Sequence, residues 1–465
     1  TQAYVQIGNG GLVSDGNMTG PTLVNASGAL TMKGGTGDNT YAQIGIGGSG
    51  VDGVMDGAVN VTAASISMTS GLRSAYAQIG QGGGVTAGGD GNPRQGRING
   101  NVTVSTTAGG IEMKSEGNAS TVRNYVQIGA GGGGNAVFFN GGAANTVTSN
   151  TSVTTVGGGL TMNANNADYV QIGAGGRGFT SSGITGEVDV NIGGAVAMTG
   201  GNLENRYVQI GNGGSYSNAP ISGLVSVTAT SDISLTGGSS SHAYAQIGHG
   251  GRSRQGEVTA SPVTVQSGGL LTLRGVGVAS HAQIGHGGHE SSGNVTGAVT
   301  VSSADTLRLE AGAGNWSHAR IGHGGRLNTG DKTGDIKVSV TGGNLHLQGM
   351  NGQYAYAQIG HGATFETDTA LNADGSICVD VAGKISLGVS TAGGSAGGHA
   401  QIGHGARRMI GNHTGSINVV SGTNATLGGG IDLRGAYTSI ASRFAQIGHG
   451  GVYSGGAMDG DISVV

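Results

Sequence analysis

Short runs of alternating apolar and polar residues recur along the whole chain, with glycine between them. One run has the form Gly-x-Val-x-Val. It places Val59 with Val61, Val102 with Val104, Val188 with Val190, Val225 with Val227, Val263 with Val265, Val299 with Val301, Val338 with Val340, and Val379 with Val381. A second run follows each of these after a bend, as in Ile66 with Met68, Ile111 with Met113, Leu160 with Met162, Ile233 with Leu235, Leu307 with Leu309, Leu345 with Leu347, Ile385 with Leu387, and Ile431 with Leu433. A period of two over a few glycine-bounded positions predicts short half-buried strands. No 3.6-residue apolar stripe survives this much glycine, so helices are not expected.

A third run, aromatic-Ala/Val-Gln-Ile-Gly-x-Gly-Gly/Ala, closes each unit. Its glutamine position is filled by Gln6, Gln43, Gln78, Gln127, Gln171, Gln209, Gln246, Gln283, Arg320, Gln358, Gln401 and Gln446. Successive positions lie 35 to 49 residues apart, most often 37, as from 246 to 283. Fixed-period identity of whole strands with elastic insertions is the signature of a solenoid with variable surface loops. Each repeat therefore reads as valine strand, bend, leucine strand, Gly-rich bend, Gln-Ile-Gly strand and polar loop. A single unit cannot bury its apolar face, whereas stacked copies share one interior and pair every strand above and below. The expected fold is all-β, a parallel β-helix of about twelve repeats of roughly 37 residues, with three short strands and a variable loop per three-sided coil. Two coils of about eighteen residues per repeat is the alternative.

Composition sharpens this picture. The chain has 102 glycines among 465 residues but only 4 prolines, and glycine does not recur at every third position, which excludes collagen. No shift in composition marks a linker, so residues 1–465 read as one continuous tract. It starts on the Tyr4–Gly8 strand and stops on the Ile462–Val464 strand, in mid-repeat. Open strand edges there would template further strands, and head-to-tail stacking into a filament is one expectation. An excerpt of a longer tract is the other, as Thr1 follows no leader sequence. The net charge of −4 is spread without runs, which argues against nucleic acid as a partner. One cysteine, Cys378, excludes an internal disulfide framework and reads as a small buried strand residue. No apolar run reaches transmembrane length.

The pattern Val-x-Val-Ala-Gly-x-Ile-x-Leu, as at Val379 to Leu387, resembles the passenger regions of filamentous-haemagglutinin-like exoproteins and autotransporter adhesins. The resemblance covers nearly the whole chain and lies in repeat style. It implies a right-handed β-helix, bacterial secretion to the cell surface or beyond, and work in adhesion, biofilm or surface fibres. An extracellular fibre, stalk or adhesive shaft is the leading functional expectation, with self-association or surface glycans as partners. The other two readings are an adhesin that grips glycans through its variable loops, and a metal- or haem-binding surface protein.

Three columns carry the polar chemistry. In-register glutamines are expected to bond amide to amide along the axis. Two residues earlier stand Tyr4, Tyr41, Tyr76, Tyr125, Tyr169, Tyr207, Tyr244, His281, His318, Tyr356, His399 and Phe444, expected to stack along a solenoid face or dock a neighbouring fibre. Two residues after the isoleucine, Asn9, Ile46, Gln81, Ala130, Ala174 and Asn212 give way to His249, His286, His323, His361, His404 and His449. These six imidazoles are candidate ligands for Zn, Cu, Ni or haem, or a hydrogen-bonded ladder that protonation below about pH 6 would loosen. A line of ligands at strand spacing is not a tetrahedral cage, which favours the ladder. Gly-x-Gly-x-x-Gly matches at Gly45–Gly50, Gly129–Gly134 and Gly173–Gly178 open no helix and read as turns. Asp52, Asp56 and Asp459, each before glycine, could offer oxygens to Ca²⁺ in loops, though ordinary turn chemistry explains them. Acidic residues are sparse and scattered, so no catalytic residues are assigned and an enzyme is not expected.

Overall fold

The computed structural model describes the chain except residues 1, 2, 13, 15, 38, 39, 52, 84–96, 118–123, 134–145, 167, 365, 366, 391–396 and 437–442. The described residues form strands, turns and bends, without helix. Parallel strands stack coil upon coil as a β-solenoid, with one coil per repeat. The Gln-Ile-Gly strands, from Tyr4–Ile7 to Phe444–Ile447, make a twelve-stranded sheet. The valine strands, from Thr22–Asn25 to Ile462–Val464, make another of twelve, and the leucine strands, from Ala29–Lys33 to Ile431–Arg434, one of eleven. Register is residue on equivalent residue, as in Gln127 on Gln171 and Val188 on Val225.

The three-strand unit needs one correction. The polar loop holds a fourth strand of two or three residues, such as Met55–Asp56, Ile184 within Gly183–Thr185, or Val258–Thr259, and these form their own twelve-stranded sheet. A two-residue strand cannot display an alternating pattern, so only the stacking of copies makes it recognisable. A further short pair joins Gly324–Arg326 to Gly362–Thr364.

The loop strands close a second compartment. Valine pairs, leucine or methionine pairs, and the Ala/Val and Ile of the Gln strand, such as Val170 and Ile172, share the main core. Beyond the Gln strand, the loop strands pack Met55, Ile98, Val147, Ile184, Ile221, Val258 and Val295 in a separate apolar cluster with Ile46, Ala130 and Ala174. The Gln sheet is thus a wall between two interiors, and every residue of the Tyr41–Ile44, Tyr125–Ile128 and Tyr356–Ile359 strands is buried. Strands covered on both faces need no polar side. Cys378 corrects another expectation: it lies in the Ile377–Val381 strand but on the outer face, half-buried, between Lys337 and Asn418.

Candidate functional site

Burial on both faces dictates what the three polar columns do, because each buried amide, hydroxyl or imidazole must find a partner. The glutamines bond upward, mostly to glycine carbonyls instead of to each other. Gln43 Nε2 donates to the Gly80 and Gly82 carbonyls at 3.2 and 2.9 Å, and Gln127 to those of Gly173 and Gly175 at 2.9 and 3.0 Å. Gln6, Gln78, Gln171, Gln246, Gln358 and Gln401 repeat this pair of bonds, while Gln209 and Gln283 each reach one such carbonyl. Gln446 donates within its own coil to the His449 carbonyl. A direct amide-to-amide contact occurs at Gln358 and Gln401, at 3.4 Å. The expected amide ladder is therefore replaced, for the most part, by side-chain clamps on the next coil's backbone.

Arg320 does the same work where glutamine is missing. Its Nη1 donates to the carbonyls of His323 and Gly362, and its Nη2 to the Tyr356 hydroxyl at 2.8 Å. Replacing Gln127 with leucine keeps the volume but leaves the Gly173 carbonyl and the Tyr169 hydroxyl, which donates to Gln127 Oε1 at 3.3 Å, without those partners. Gln127→Leu is expected to cost about 1–3 kcal/mol, read as a lower denaturation midpoint at unchanged slope.

The aromatic column is interior, which corrects the expectation of a face open to neighbouring fibres. From Tyr41 to His399 its rings are buried. Adjacent rings from Tyr4 through Tyr41, Tyr76, Tyr125, Tyr169, Tyr207, Tyr244, His281, His318, Tyr356 and His399 to Phe444 stack with centroids 4.7 to 5.4 Å apart. Phenol and amide are coupled, since Tyr76 and Tyr125 donate to Gln43 and Gln78 Oε1 at 3.3 and 3.1 Å. Burial pushes the Tyr125, Tyr169 and Tyr207 phenols well above the ordinary tyrosine range.

The histidine column is a ladder in the hydrogen-bond sense. Each imidazole Nδ1 accepts a backbone N–H from the coil before it: Asn212 to His249 at 2.9 Å, His249 to His286 at 2.8 Å, and His286 to His323, His323 to His361 and His361 to His404 at 3.0 Å. His404 to His449 follows at 3.2 Å. The opposite nitrogen meets a carbonyl: His249 faces Gly223 at 2.8 Å, His323 faces Gly297 and His361 faces Gly334 at 2.7 Å, and His404 faces Gly375 at 2.6 Å. His286 and His449 face Ser261 and Gly415 in the same way. These partners assign the proton to Nε2 and require neutral rings, because an imidazolium has no lone pair at Nδ1. Burial pushes His249 and His323 down to about 4 and His404 to about 3. His286 and His361 lie well below the usual value, through burial and then the neighbouring histidines.

Both nitrogens of each ring in this column are engaged by backbone, so coordination by any of them would break a bond between coils. Among the described residues, no group of three or more His, Cys, Asp or Glu side chains is arranged to hold a metal ion. Asn212 shows why the column accepts an amide: Oδ1 accepts from Ala174 N–H at 2.8 Å and Nδ2 donates to the Gly186 carbonyl at 2.7 Å, as an imidazole would. Of the loop aspartates, Asp56 accepts from Asn99 Nδ2 at 3.1 Å, Asp459 is exposed, and Asp52 lies outside the described residues, as does Gly134. Compared with known protein families, curated proteins and solved structures, the chain matches none.

Proposed function

We propose that this chain is a structural shaft, the rod of an extracellular fibre, stalk or adhesin. The observation that carries this reading is the unbroken register: twelve rungs of the Gln sheet pair like on like from Tyr4 to Ile447. The buried columns spend their polar atoms largely on joining one coil to the next, which suits a load-bearing column. The resemblance of the Val379–Leu387 repeat style to bacterial surface exoproteins points to the same kind of work outside the cell.

A shaft tolerates changes of length in whole repeats, and this supplies the test. Eleven coil-to-coil steps of about 4.8 Å give a column of roughly 53 Å. Excising residues 210–283, two repeats from Gln209 to Gln283, is expected to leave a folded rod shorter by about 10 Å. Solution scattering and electron micrographs of both chains read this directly. A compact particle, or a deletion that abolishes folding, would overturn the proposal.

A further inference from the structure

Among the buried polar groups of the second compartment that lack partners, Arg254 is the one guanidinium with none of its nitrogens bonded among the described residues. The backbone bonds Gln255 N–H to Ser217 carbonyl, Ser292 N–H to Arg254 carbonyl and Thr329 N–H to Ser291 carbonyl place Ser217, Arg254, Ser291 and Asn328 directly above one another. All four side chains are buried, and Arg254 is 0% exposed. None of its Nε, Nη1 and Nη2 atoms has a hydrogen-bond partner, and the Ser217 hydroxyl below it is also unpartnered. Its Nε packs against Gly250, where a Cβ would approach to 2.8 Å.

We propose that Arg254 holds a small inorganic anion of the chloride class inside the second compartment, at its guanidinium and beside Ser217 of the preceding coil. An unpaired guanidinium in a low-dielectric interior is among the costliest groups a fold can carry. Water could fill its hydrogen bonds, but the carboxylate that acts on it, Glu257, is exposed to solvent and makes no bond to the guanidinium. Serine flanks it on both sides, where the same column carries Phe179 one coil earlier and Asn328 one coil later. A second buried basic group, Lys332, lies within reach of the Arg254 charge. Lys332, also 0% exposed, donates only to the carbonyls of Gly293, Thr329 and Gly330, and the Arg254 charge acts on it. Burial, then Arg254, pushes this ammonium down to about 7. The imidazoles of His249 and His286 next to the site are neutral and cannot serve as counter-ions. The Ser217 hydroxyl is free to donate to the anion alongside the guanidinium.

The site is tested with halide alone. Crystals of the full chain grown in bromide are expected to show one anomalous peak within contact of Arg254. Exchanging chloride for gluconate at constant ionic strength should lower the melting temperature by a few degrees and speed amide exchange in residues 217–328. Arg254→Met should abolish both halide responses, and Arg254→Lys should keep a weakened one. The unmodified protein decides the matter even if a variant misfolds. Absence of bromide at Arg254, or melting indifferent to halide at constant ionic strength, overturns the proposal and leaves a water-filled site. A bromide peak with no effect on stability or exchange would mark an adventitious ion and overturn it equally.

Discussion

Acidification from pH 7 to pH 4 is expected to unravel the C-terminal six coils while the N-terminal coils keep their strands. All 13 histidines lie at or beyond His242. Burial sets the folded values of His249 and His323 at about 4, and of His281, His399 and His404 at about 3, against about 6.5 in an unfolded chain. Between these limits the unfolded state binds protons that the folded state refuses, so stability is complete above about 6.5 and falls as pH drops towards 4 and 3. Each histidine contributes a slope of about 1.4 kcal/mol per pH unit in that window, and five together about 7. That is a large fraction of what holds a domain of ordinary stability, about 5–15 kcal/mol. The structural break is specific: a proton on Nδ1 turns the acceptor for the preceding coil's N–H into a second donor facing a donor. Hydrogen exchange at pH 7, 5 and 4, corrected for intrinsic rates, should show peptides beyond residue 245 losing protection before those of residues 41–210. Replacing His249, His286 and His323 together with asparagine should flatten the pH dependence, because Asn212 already makes the equivalent bonds. Uniform protection loss along the rod, or a triple variant as acid-sensitive as the parent, would refute this account.

Gly285→Ala is expected to be among the most damaging single methyls in the chain's interior. Gly285 holds φ at +139°, a region L side chains rarely enter, and a Cβ there would sit 2.1 Å from the Gly322 carbonyl oxygen of the next coil. Neither side can yield cheaply, since both are backbone clamped in a ladder, with Gly322 also bonded by Gln283 Nε2 at 3.1 Å. Backbone strain of about 1–3 kcal/mol adds to about 1–3 kcal/mol for forcing atoms into a packed interior. Gly183→Ala is the control: nothing lies within 4 Å of its Cβ position, and its φ is ordinary. There alanine should be neutral or stabilise by about 0.4–1 kcal/mol through the unfolded chain. Denaturant titrations of the two variants should differ by several kcal/mol, and equal midpoints would show that coil spacing is not set by this glycine column.

Much of the architecture was legible in the chain because repetition turns local pattern into global order. Val59 with Val61 and Ile66 with Met68 could be assigned to strands by alternation, and their recurrence implied stacking in register, which the pairing of Val59 with Val102 and Ile66 with Ile111 bears out. The Met55–Asp56 strand leaves no such trace, because two residues carry no period. The Tyr and Gln columns were harder. Alternation with Ala42 and Ile44 puts Tyr41 and Gln43 on the strand face turned away from the main core, and the loop folds back and buries that face too.

Where strands run, where they bend, and that copies lie on copies can be read along the chain, because apolar period and glycine spacing are local and repeated. What the polar columns bond to is fixed in three dimensions. Whether an amide meets an amide or a carbonyl, whether an imidazole keeps a free lone pair, and whether an arginine finds a carboxylate depend on which backbone from another coil closes over it. That covering is made by the least regular stretch of each repeat, whose position no alternation of residues records.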